Sequence, residues 1–197
     1  MRPFAQKLRC LKGQCCLQPD WVRCDCALEI ALQLCFTAVM QSHKVRKALG
    51  DEDLRSVARL IAEYAASLPV TLGYQGFAAE LACLQGTYSA PGGALFLAED
   101  ARGSALGCVG LRPFDRPGCC EMKRLYVIPA ARGLGLGRAL TAALIAQTRL
   151  LGYQTLLLDT LPSMAAATAL CQQIGFRRIE PYYQPTPAGT VFLALTL

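Results

Sequence analysis

The clearest chemical feature of the chain is a glycine-rich turn between an apolar strand and an amphipathic helix. The turn is Arg132-Gly133-Leu134-Gly135-Leu136-Gly137-Arg138, and the helix is predicted over Leu136 to Leu150. Glycines let a ligand approach the backbone, and the first N–H groups of a helix are unpaired and lie at the positive end of its dipole. This arrangement predicts an anion site, most simply for a diphosphate. The alternative is a glycine-rich turn that binds nothing.

Two common diphosphate loops do not fit this turn. The Rossmann fingerprint requires G-x-G-x-x-G, and in the two available registers the last position holds Arg138 or Leu140. A Walker A loop requires Gly-Lys followed by Ser or Thr, which occurs nowhere in the chain. Asp159 lies at a suitable distance for a ribose-binding carboxylate, so a nucleotide-binding oxidoreductase stays open as an alternative.

Hydrophobic periodicity places the turn inside an alternating α/β domain. Apolar residues at helical spacing follow Asp51 or Asp53, one of which is expected to cap the first helix. A second helix is predicted from Phe77 and is ended by Gly86. The other predicted elements are a helix over 162–175 and strands over 43–48, 94–98, 105–111, 120–128, 156–158, 176–179 and 191–195. The order β α α β β β α β α β β predicts a mixed α/β sheet.

The composition narrows the class of protein. Of 197 residues, 53% are hydrophobic and 17% are charged, which suits one domain with a sizeable core. The net charge of +6 is scattered rather than gathered in a basic stripe with aromatics, so we expect no nucleic-acid partner. The 11 cysteines, an odd number without a cleavable signal, favour free thiols and a cytoplasmic location over a disulfide framework. None has the C-x-x-C spacing of a zinc site, so we expect no metal.

Residues 1–40 differ from the rest and are predicted to form a cysteine-rich extension to a domain at 41–197. The stretch from Cys26 to Met40 is mostly apolar, but it contains Glu29 and Gln33 and is too short to span a membrane, so no membrane partner is expected. Three interpretations compete: an organelle-targeting extension, a docking helix, or translated sequence upstream of a natural start at Met40. We favour the third, because residues from His43 onward already form a complete pattern of elements.

Three segments together resemble the GNAT superfamily of N-acetyltransferases, over about Lys44 to Leu197. They are the strand Glu121-Met122-Lys123-Arg124-Leu125-Tyr126-Val127, the pattern Arg132-x-x-Gly135-x-Gly137, and the segment from Ala167 to Phe176, which ends in Ile-Gly-Phe. The resemblance implies a GNAT-like mixed, mostly antiparallel central sheet flanked by helices, with splayed central parallel strands. It also implies acetyl transfer from acetyl-CoA, as co-substrate, to an amine that attacks the thioester directly.

The resemblance assigns acetyl-CoA to two segments. Pantetheine would pair with the strand edge at Leu125, Tyr126 and Val127, as an added strand does. The Val127 N–H would polarise the thioester carbonyl. The diphosphate would lie on the turn, held by Arg132, Gly133, Leu134, Gly135, Leu136, Gly137 and Arg138.

Glu121 occupies the strand position where many GNAT members carry a general base. A carboxylate within a central strand is costly unless it is paired or functional, and burial would raise its pKa. The equally weighted alternative is a structural ion pair with Lys123 or Arg124.

The usual proton donor to the leaving thiolate is missing. The family often places a tyrosine shortly before the final Gly-Phe pair, where this chain has Cys171, and an asparagine earlier in the same helix, where it has Met164. Cys171 could donate, although a core position suits a small apolar residue better. Tyr126, Tyr182 and Tyr183 are further candidate donors, and CoA could also leave unaided as a thiolate.

The acceptor, a small-molecule or peptide amine, is expected across the sheet from CoA. Tyr74 and Gln75 lie in the loop after the first helix, and Tyr182 lies in the late part of the chain. Arg124 could bind an acidic group of the substrate or form a salt bridge. The sequence leaves the amine and the oligomeric state open, a homodimer included. The alternative function is a catalytically weak acyl-CoA-binding sensor or partner subunit, since the usual tyrosine is absent.

Overall fold

The computed structural model describes residues 43–197, which form one seven-stranded sheet with helices against both faces. The extension predicted over residues 1–40 lies outside the described residues. The strands are β1 (Lys44–Lys47), β2 (Ala94–Glu99), β3 (Ala105–Pro113), β4 (Cys119–Val127), β5 (Thr155–Thr160), β6 (Arg177–Ile179) and β7 (Val191–Thr196). The helices are α1 (Asp51–Ala66), α2 (Phe77–Ala82), α3 (Leu84–Tyr88), α4 (Leu136–Leu150) and α5 (Ala165–Ile174).

One parallel pair interrupts an otherwise antiparallel sheet. The strand order is β1-β2-β3-β4-β5-β7-β6, and only β4 and β5 run parallel among the described strands. Their pairing is short, joining 119–121 of β4 to 155–157 of β5. Beyond Glu121, β4 stays paired with β3 but not with β5. The predicted fold class, a mixed and mostly antiparallel sheet with splayed central parallel strands, is confirmed.

The sheet is buried on both faces. Val57, Leu60 and Ile61 of α1 pack on one face, and Leu140 and Leu144 of α4 pack on the other. Successive strand side chains point to opposite faces, so strands covered on both sides must be apolar at nearly every position. This explains the continuous apolar runs in β2 and β5.

The cap predicted for the first helix is wrong. The N-cap of α1 is Gly50, with a φ of 89° and no side-chain capping bond. The Asp53 carboxylate instead accepts hydrogen bonds from the Leu49 N–H at 2.6 Å and from Arg46 at 2.6 and 2.7 Å. The Arg46 guanidinium on β1 therefore binds the Asp53 carboxylate, which is not available to cap the helix. This contact lowers the pKa of Asp53.

The predicted second helix is two helices. It breaks at Cys83, whose backbone leaves the helical region, and α3 then runs through Gly86 rather than ending there. A Cβ at Gly86 would lie 2.4 Å from the Cys83 Sγ, so a larger residue there would displace the Cys83 side chain, and this glycine does not mark a helix end. Tyr88 is buried and donates a hydrogen bond to Glu80 at 2.7 Å, a tertiary contact that fixes α3 against α2.

Three further features concern residues 43–197 as a whole. No helix there combines the length and apolar character that a membrane crossing needs. No three His, Cys, Asp or Glu side chains of this region are grouped so that they could hold a metal ion. Its five cysteines are free thiols: Cys83 is exposed, and the buried ones are Cys108, Cys119, Cys120 and Cys171.

Candidate active site

A β-bulge bends β4 beyond Glu121, the last residue that pairs with β5. Two residues of β4, Arg124 and Leu125, lie opposite a single residue of β3. Arg124 has a φ of 58°, in the left-handed region, which costs a non-glycine residue roughly 1–2 kcal/mol. A bulge bends its strand and increases the local twist. The bulge therefore accounts for β4 turning away from β5 and leaving a cleft between them.

The cleft side of β4 offers backbone groups to a ligand. The Ile128 N–H bonds to the Leu106 carbonyl at 2.9 Å, so these two residues form a hydrogen-bonded antiparallel pair. The next pair, Val127 with Gly107, is then a non-hydrogen-bonded pair. The N–H and C=O of Val127 consequently point away from β3, toward the cleft.

The three glycines of the turn have different structural roles. Gly133 and Gly135 have φ values of 82° and 78°, and a Cβ on either would meet no atom within 4 Å, so they serve the backbone conformation. Gly137 lies inside α4, and a Cβ there would lie 3.3 Å from the Leu170 Cδ2, so it permits close contact with α5. Gly135 is the N-cap of α4 and provides no side-chain cap. The exposed turn thus presents uncapped N–H groups of a four-turn helix.

Two arginines flank the turn. The Arg132 Nε donates to the Val127 carbonyl at 3.2 Å, and an Arg138 amino group donates to the Gln173 Oε1 at 2.7 Å. Both side chains are exposed. Their charge adds to the positive end of the α4 dipole, which makes this end of the helix attractive to an anion.

Two cavities meet in the cleft between β4 and β5. The apolar cavity, of about 50 Å³, has walls from both strands and from α5. The polar cavity, of about 30 Å³, is reached from the loop after α1. The residues that line only the apolar cavity are Met122, Leu125, Leu158, Met164, Ala167 and Cys171. The residues that line only the polar cavity are Leu72, Tyr74, Gln75, Lys123 and Leu161. The residues that line both cavities are Tyr64, Arg124, Asp159 and Thr160.

Asp159 lies at the centre of a polar cluster in the polar cavity. Its carboxylate accepts bonds from the Lys123 Nζ at 2.7 Å and from the Gln75 Nε2 at 3.0 Å. The same Gln75 nitrogen also lies 2.9 Å from the Tyr183 hydroxyl oxygen and 3.2 Å from the Tyr74 hydroxyl oxygen. Burial and the charge of Asp159 raise the pKa of Tyr183 above its ordinary value, so this phenol stays neutral.

Glu121 forms an ion pair deeper in the sheet. Arg112 lies directly opposite Glu121 on β3. Two nitrogens of its guanidinium donate to the Glu121 Oε2 at 2.8 and 2.7 Å. The Tyr182 hydroxyl donates to the Oε1 at 2.8 Å, and the Lys123 Nζ lies 3.6 Å from it. Glu121 is buried and lines neither cavity. The expected alternative of an ion pair is observed, with Arg112 and Lys123 as partners and not Arg124.

Arg124 is held by a second buried carboxylate. Its Nε and one amino group donate to Glu80 at 2.8 and 2.6 Å, and the other amino group donates to the Gln75 Oε1 at 2.9 Å. The guanidinium carbon lies 5.4 Å from the centre of the Phe77 ring. Of the two roles expected for Arg124, the salt bridge is therefore present, and Gln75 links this pair to the Asp159 cluster.

A larger cavity lies away from the cleft. It measures about 380 Å³ and is bounded by the start of α1, by α3 and by the end of α4. Its walls contain no Asp, Glu, His or Cys side chain, so they offer no carboxylate, imidazole or thiol, and their hydroxyl and amino groups are those of Lys47, Tyr88 and Ser89. The cleft between β4 and β5 contains the Asp159 carboxylate, and it is therefore the better candidate for the active site.

Comparison with known proteins identifies the family. Residues 58–176 match the model of the acetyltransferase (GNAT) family. The chain belongs to this GNAT family. An uncharacterised N-acetyltransferase of Schizosaccharomyces pombe is 40% identical over 146 residues, a match that covers 74% of this chain and 90% of that protein. The GNAT chain is accordingly an acyltransferase.

Solved GNAT structures share its fold. A GNAT-family acetyltransferase from Staphylococcus aureus aligns with a TM-score of 0.67 at 17% identity, covering 79% of this chain and 99% of that one. A protein from Salmonella typhimurium, solved with its cofactor acetyl-CoA, aligns with a TM-score of 0.56 at 22% identity, covering 79% and 94%. At these identities the likeness establishes the GNAT fold alone.

The position of the usual GNAT tyrosine is buried in this chain. Cys171 lies on α5 beside the apolar cavity, and burial raises the pKa of its thiol to about 11. Met164, where the family often has asparagine, is the N-cap of α5 and lines the same cavity. The candidate donor Tyr126 packs instead in the core against α1, with its ring 5.8 Å from the Tyr64 ring.

Four polar residues that line the cleft were missing from the sequence-based site. They are Tyr64, Lys123, Asp159 and Thr160. Asp159 had a usable signal, since it is the one charge in a strand whose centre is apolar, and Lys123 had a weaker one, since it shares its strand with Glu121 and Arg124. Tyr64 and Thr160 had none, because an aromatic on a helix face and a threonine at a strand end are common in any core.

Proposed function

We propose that the protein transfers the acetyl group of acetyl-CoA to a primary amine of a small molecule or peptide by direct attack. One observation supports this most strongly. The free edge of β4, opened by the bulge at Arg124, lies at a polar cavity and leads directly into the glycine turn of α4. An extended donor with a diphosphate at one end and a reactive group at the other suits that path.

The cofactor side of the cleft fits acetyl-CoA. The turn supplies uncapped N–H groups, open space at Gly133 and Gly135, and the charges of Arg132 and Arg138 for the diphosphate. The edge at Leu125 to Val127 supplies strand-like hydrogen bonds for pantetheine, which contains peptide-like amides. The Val127 N–H, directed into the cleft, polarises the thioester carbonyl.

The acceptor side is the polar cavity. We assign the binding of the amine to the Asp159 carboxylate. This carboxylate binds the amine in its charged ammonium form, accepts a proton from it and passes that proton to solvent. Glu121, the base expected from the family, lines neither cavity, and we assign it a structural role as the charge partner of Arg112. The walls that select the amine are Tyr74, Gln75 and Arg124. Tyr183 and Tyr182 line neither cavity and act on it through their hydrogen bonds to Gln75 and Glu121.

A turnover assay tests the proposal. Purified protein is incubated with acetyl-CoA and a panel of amines: a polyamine, free amino acids, an amino-sugar antibiotic, a peptide N-terminus and a lysine peptide. We expect CoA release that requires both protein and amine, and an acetylated product by mass spectrometry. Acetyl-CoA binding without turnover of any amine would instead support the sensor function. Stabilisation by NADH but not by acetyl-CoA would support the oxidoreductase alternative.

The sensor remains a second candidate for one specific reason. The thiol at the usual tyrosine position is buried with a raised pKa of about 11, which makes Cys171 a poor proton donor near neutral pH. An enzyme built on this chain needs another way to stabilise the leaving sulfur.

A further inference from the structure

One hydroxyl already bonds to a sulfur atom in the cleft. Tyr64, near the end of α1, donates a hydrogen bond to the Met164 Sδ at 3.7 Å. This bond joins α1 to the start of α5, and both residues line the apolar cavity between β4 and β5. Tyr64 also lines the polar cavity, so its ring lies where the two cavities meet.

The Tyr64 hydroxyl is a persistent donor. Burial raises the pKa of this phenol to about 12, so it keeps its proton throughout the neutral range. A thioether is a weak hydrogen-bond acceptor, whereas a thiolate is charged and accepts much more strongly. A thiolate that forms in the cavity would therefore displace Met164 as the partner of Tyr64.

A second hydroxyl indicates that the cavity is made for a polar group. Thr160 is buried, lines both cavities, and has an Oγ1 with no hydrogen-bond partner among the described residues. Buried polar atoms in folded proteins are nearly always paired. An unpaired hydroxyl beside Tyr64 is expected where a bound ligand supplies the missing partner.

We propose that the Tyr64 hydroxyl donates its hydrogen bond to the sulfur of CoA as the carbon–sulfur bond breaks, in place of the tyrosine that the family carries on α5. The inference rests on the proposed acetyl transfer. The bound ammonium first loses one proton through Asp159 to solvent. The amine nitrogen then forms the new bond to the acetyl carbon, the carbon–sulfur electron pair moves to sulfur, and the nitrogen loses its second proton by the same route. Tyr64 keeps its own proton, so CoA leaves as a hydrogen-bonded thiolate.

Calorimetry with CoA and desulfo-CoA isolates the contact without requiring turnover. Wild-type protein is expected to bind CoA roughly tenfold more tightly than desulfo-CoA at a pH where the bound thiol is ionised, because one charge-assisted bond is lost in the analogue. Tyr64→Phe should bring this ratio close to one. The ultraviolet absorbance of the bound thiolate should show a higher thiol pKa in Tyr64→Phe than in wild type.

Three further variants separate this contact from a structural effect. Met164→Leu removes the present partner of Tyr64 but keeps the hydroxyl, so the CoA preference should persist or increase. Tyr153→Phe removes a hydroxyl that bonds to the Gly92 carbonyl at 2.9 Å, outside both cavities, and should change nothing. Cys171→Ala should also keep the preference.

The outcomes distinguish the possibilities. The proposal is wrong if the preference for CoA survives Tyr64→Phe, or if it is lost equally in Met164→Leu. Tyr64 would then have only a structural role, joining α1 to α5. Loss of the preference in Cys171→Ala alone would restore the cysteine as the donor. If wild-type protein binds neither CoA nor desulfo-CoA, the proposed function is wrong, and so is the role of Tyr64 that rests on it.

Discussion

The carboxylate of Glu80 and the guanidinium of Arg124 form a buried ion pair with two hydrogen bonds, at 2.8 and 2.6 Å. Both side chains are almost fully buried. Arg124 is also the residue with a positive φ at the β4 bulge. The pair on α2 and β4 therefore secures a strained backbone, and that backbone opens the cleft in which the chemistry is proposed to occur.

Removing this pair should destabilise the fold strongly. Glu80→Gln leaves the Arg124 charge buried and unneutralised, and we expect a loss of about 3–5 kcal/mol in the free energy of unfolding, measured with urea. The matched control is Glu63→Gln, which removes the exposed Arg59–Glu63 pair and should cost no more than about 0.5 kcal/mol. Similar losses in both variants would contradict the role given to Glu80.

The same pair predicts an acid sensitivity. Burial alone would raise the pKa of Glu80, but the hydrogen bonds and charge of Arg124 outweigh it and lower that pKa below the ordinary value of 4.5. A carboxylate with a lowered folded pKa stabilises above its unfolded pKa and loses that contribution as the pH falls through the folded pKa. The stability difference between wild type and Glu80→Gln should shrink below about pH 4.5, as seen in urea titrations at several pH values.

A charge at the glycine turn should abolish cofactor binding. Gly135→Asp places a carboxylate beside the proposed diphosphate site, and we expect acetyl-CoA affinity to fall more than about 100-fold by calorimetry. Gly103→Asp is the matched control, because Gly103 has a φ of 80° and equally open surroundings in the β2–β3 loop. Both variants carry the same backbone strain, so only the first should lose binding. Retained affinity in Gly135→Asp would refute the diphosphate assignment.

Two carboxylates should respond differently to neutralisation. Asp159→Asn is expected to lower kcat/KM for the amine about 100-fold or more while acetyl-CoA binding is kept, because the amine loses its proton acceptor. Glu121→Gln should mainly destabilise the protein, because Arg112 loses its partner. The opposite pattern, with a loss of rate concentrated at low pH in Glu121→Gln, would return the base to Glu121.

The thiols of the domain should differ in reactivity. Burial raises the pKa of Cys171 to about 11 and of Cys108 and Cys120 to about 12. At pH 8 a thiol with a pKa near 11 is ionised to only about one part in a thousand, and burial also blocks reagents. Iodoacetamide followed by peptide mapping should therefore modify the exposed Cys83 well before these three. Rapid modification of Cys171 would show that it is accessible and revive it as a donor.

The sequence predicted the parts of this fold that depend on local patterns. The span of α4 was predicted residue for residue, because a glycine turn marks its start and a regular apolar stripe runs along it. The helix after β5 was bounded by Gly175, which ends α5 in the left-handed conformation as expected. Apolar runs likewise indicated the strands of a sheet buried on both faces.

The rest depended on contacts between distant residues. Asp53 does not cap α1 because Arg46 binds its carboxylate, and the helix predicted from Phe77 to Gly86 breaks at Cys83, whose backbone is not helical. The partner of Glu121 is Arg112, which is set by the β3–β4 register and not by nearness in sequence. Tyr64 and Thr160 line the cleft because tertiary structure places α1 and the end of β5 beside β4, which no local pattern predicts.

The structure of the protein with bound CoA tests the account most directly. We predict diphosphate oxygens within about 3 Å of N–H groups between Gly133 and Arg138, and the CoA sulfur in the apolar cavity beside Tyr64. The Asp159 carboxylate should face the sulfur from the polar cavity. CoA bound in the larger cavity beside Gln147, or with its diphosphate away from the glycine turn, would contradict the proposed site.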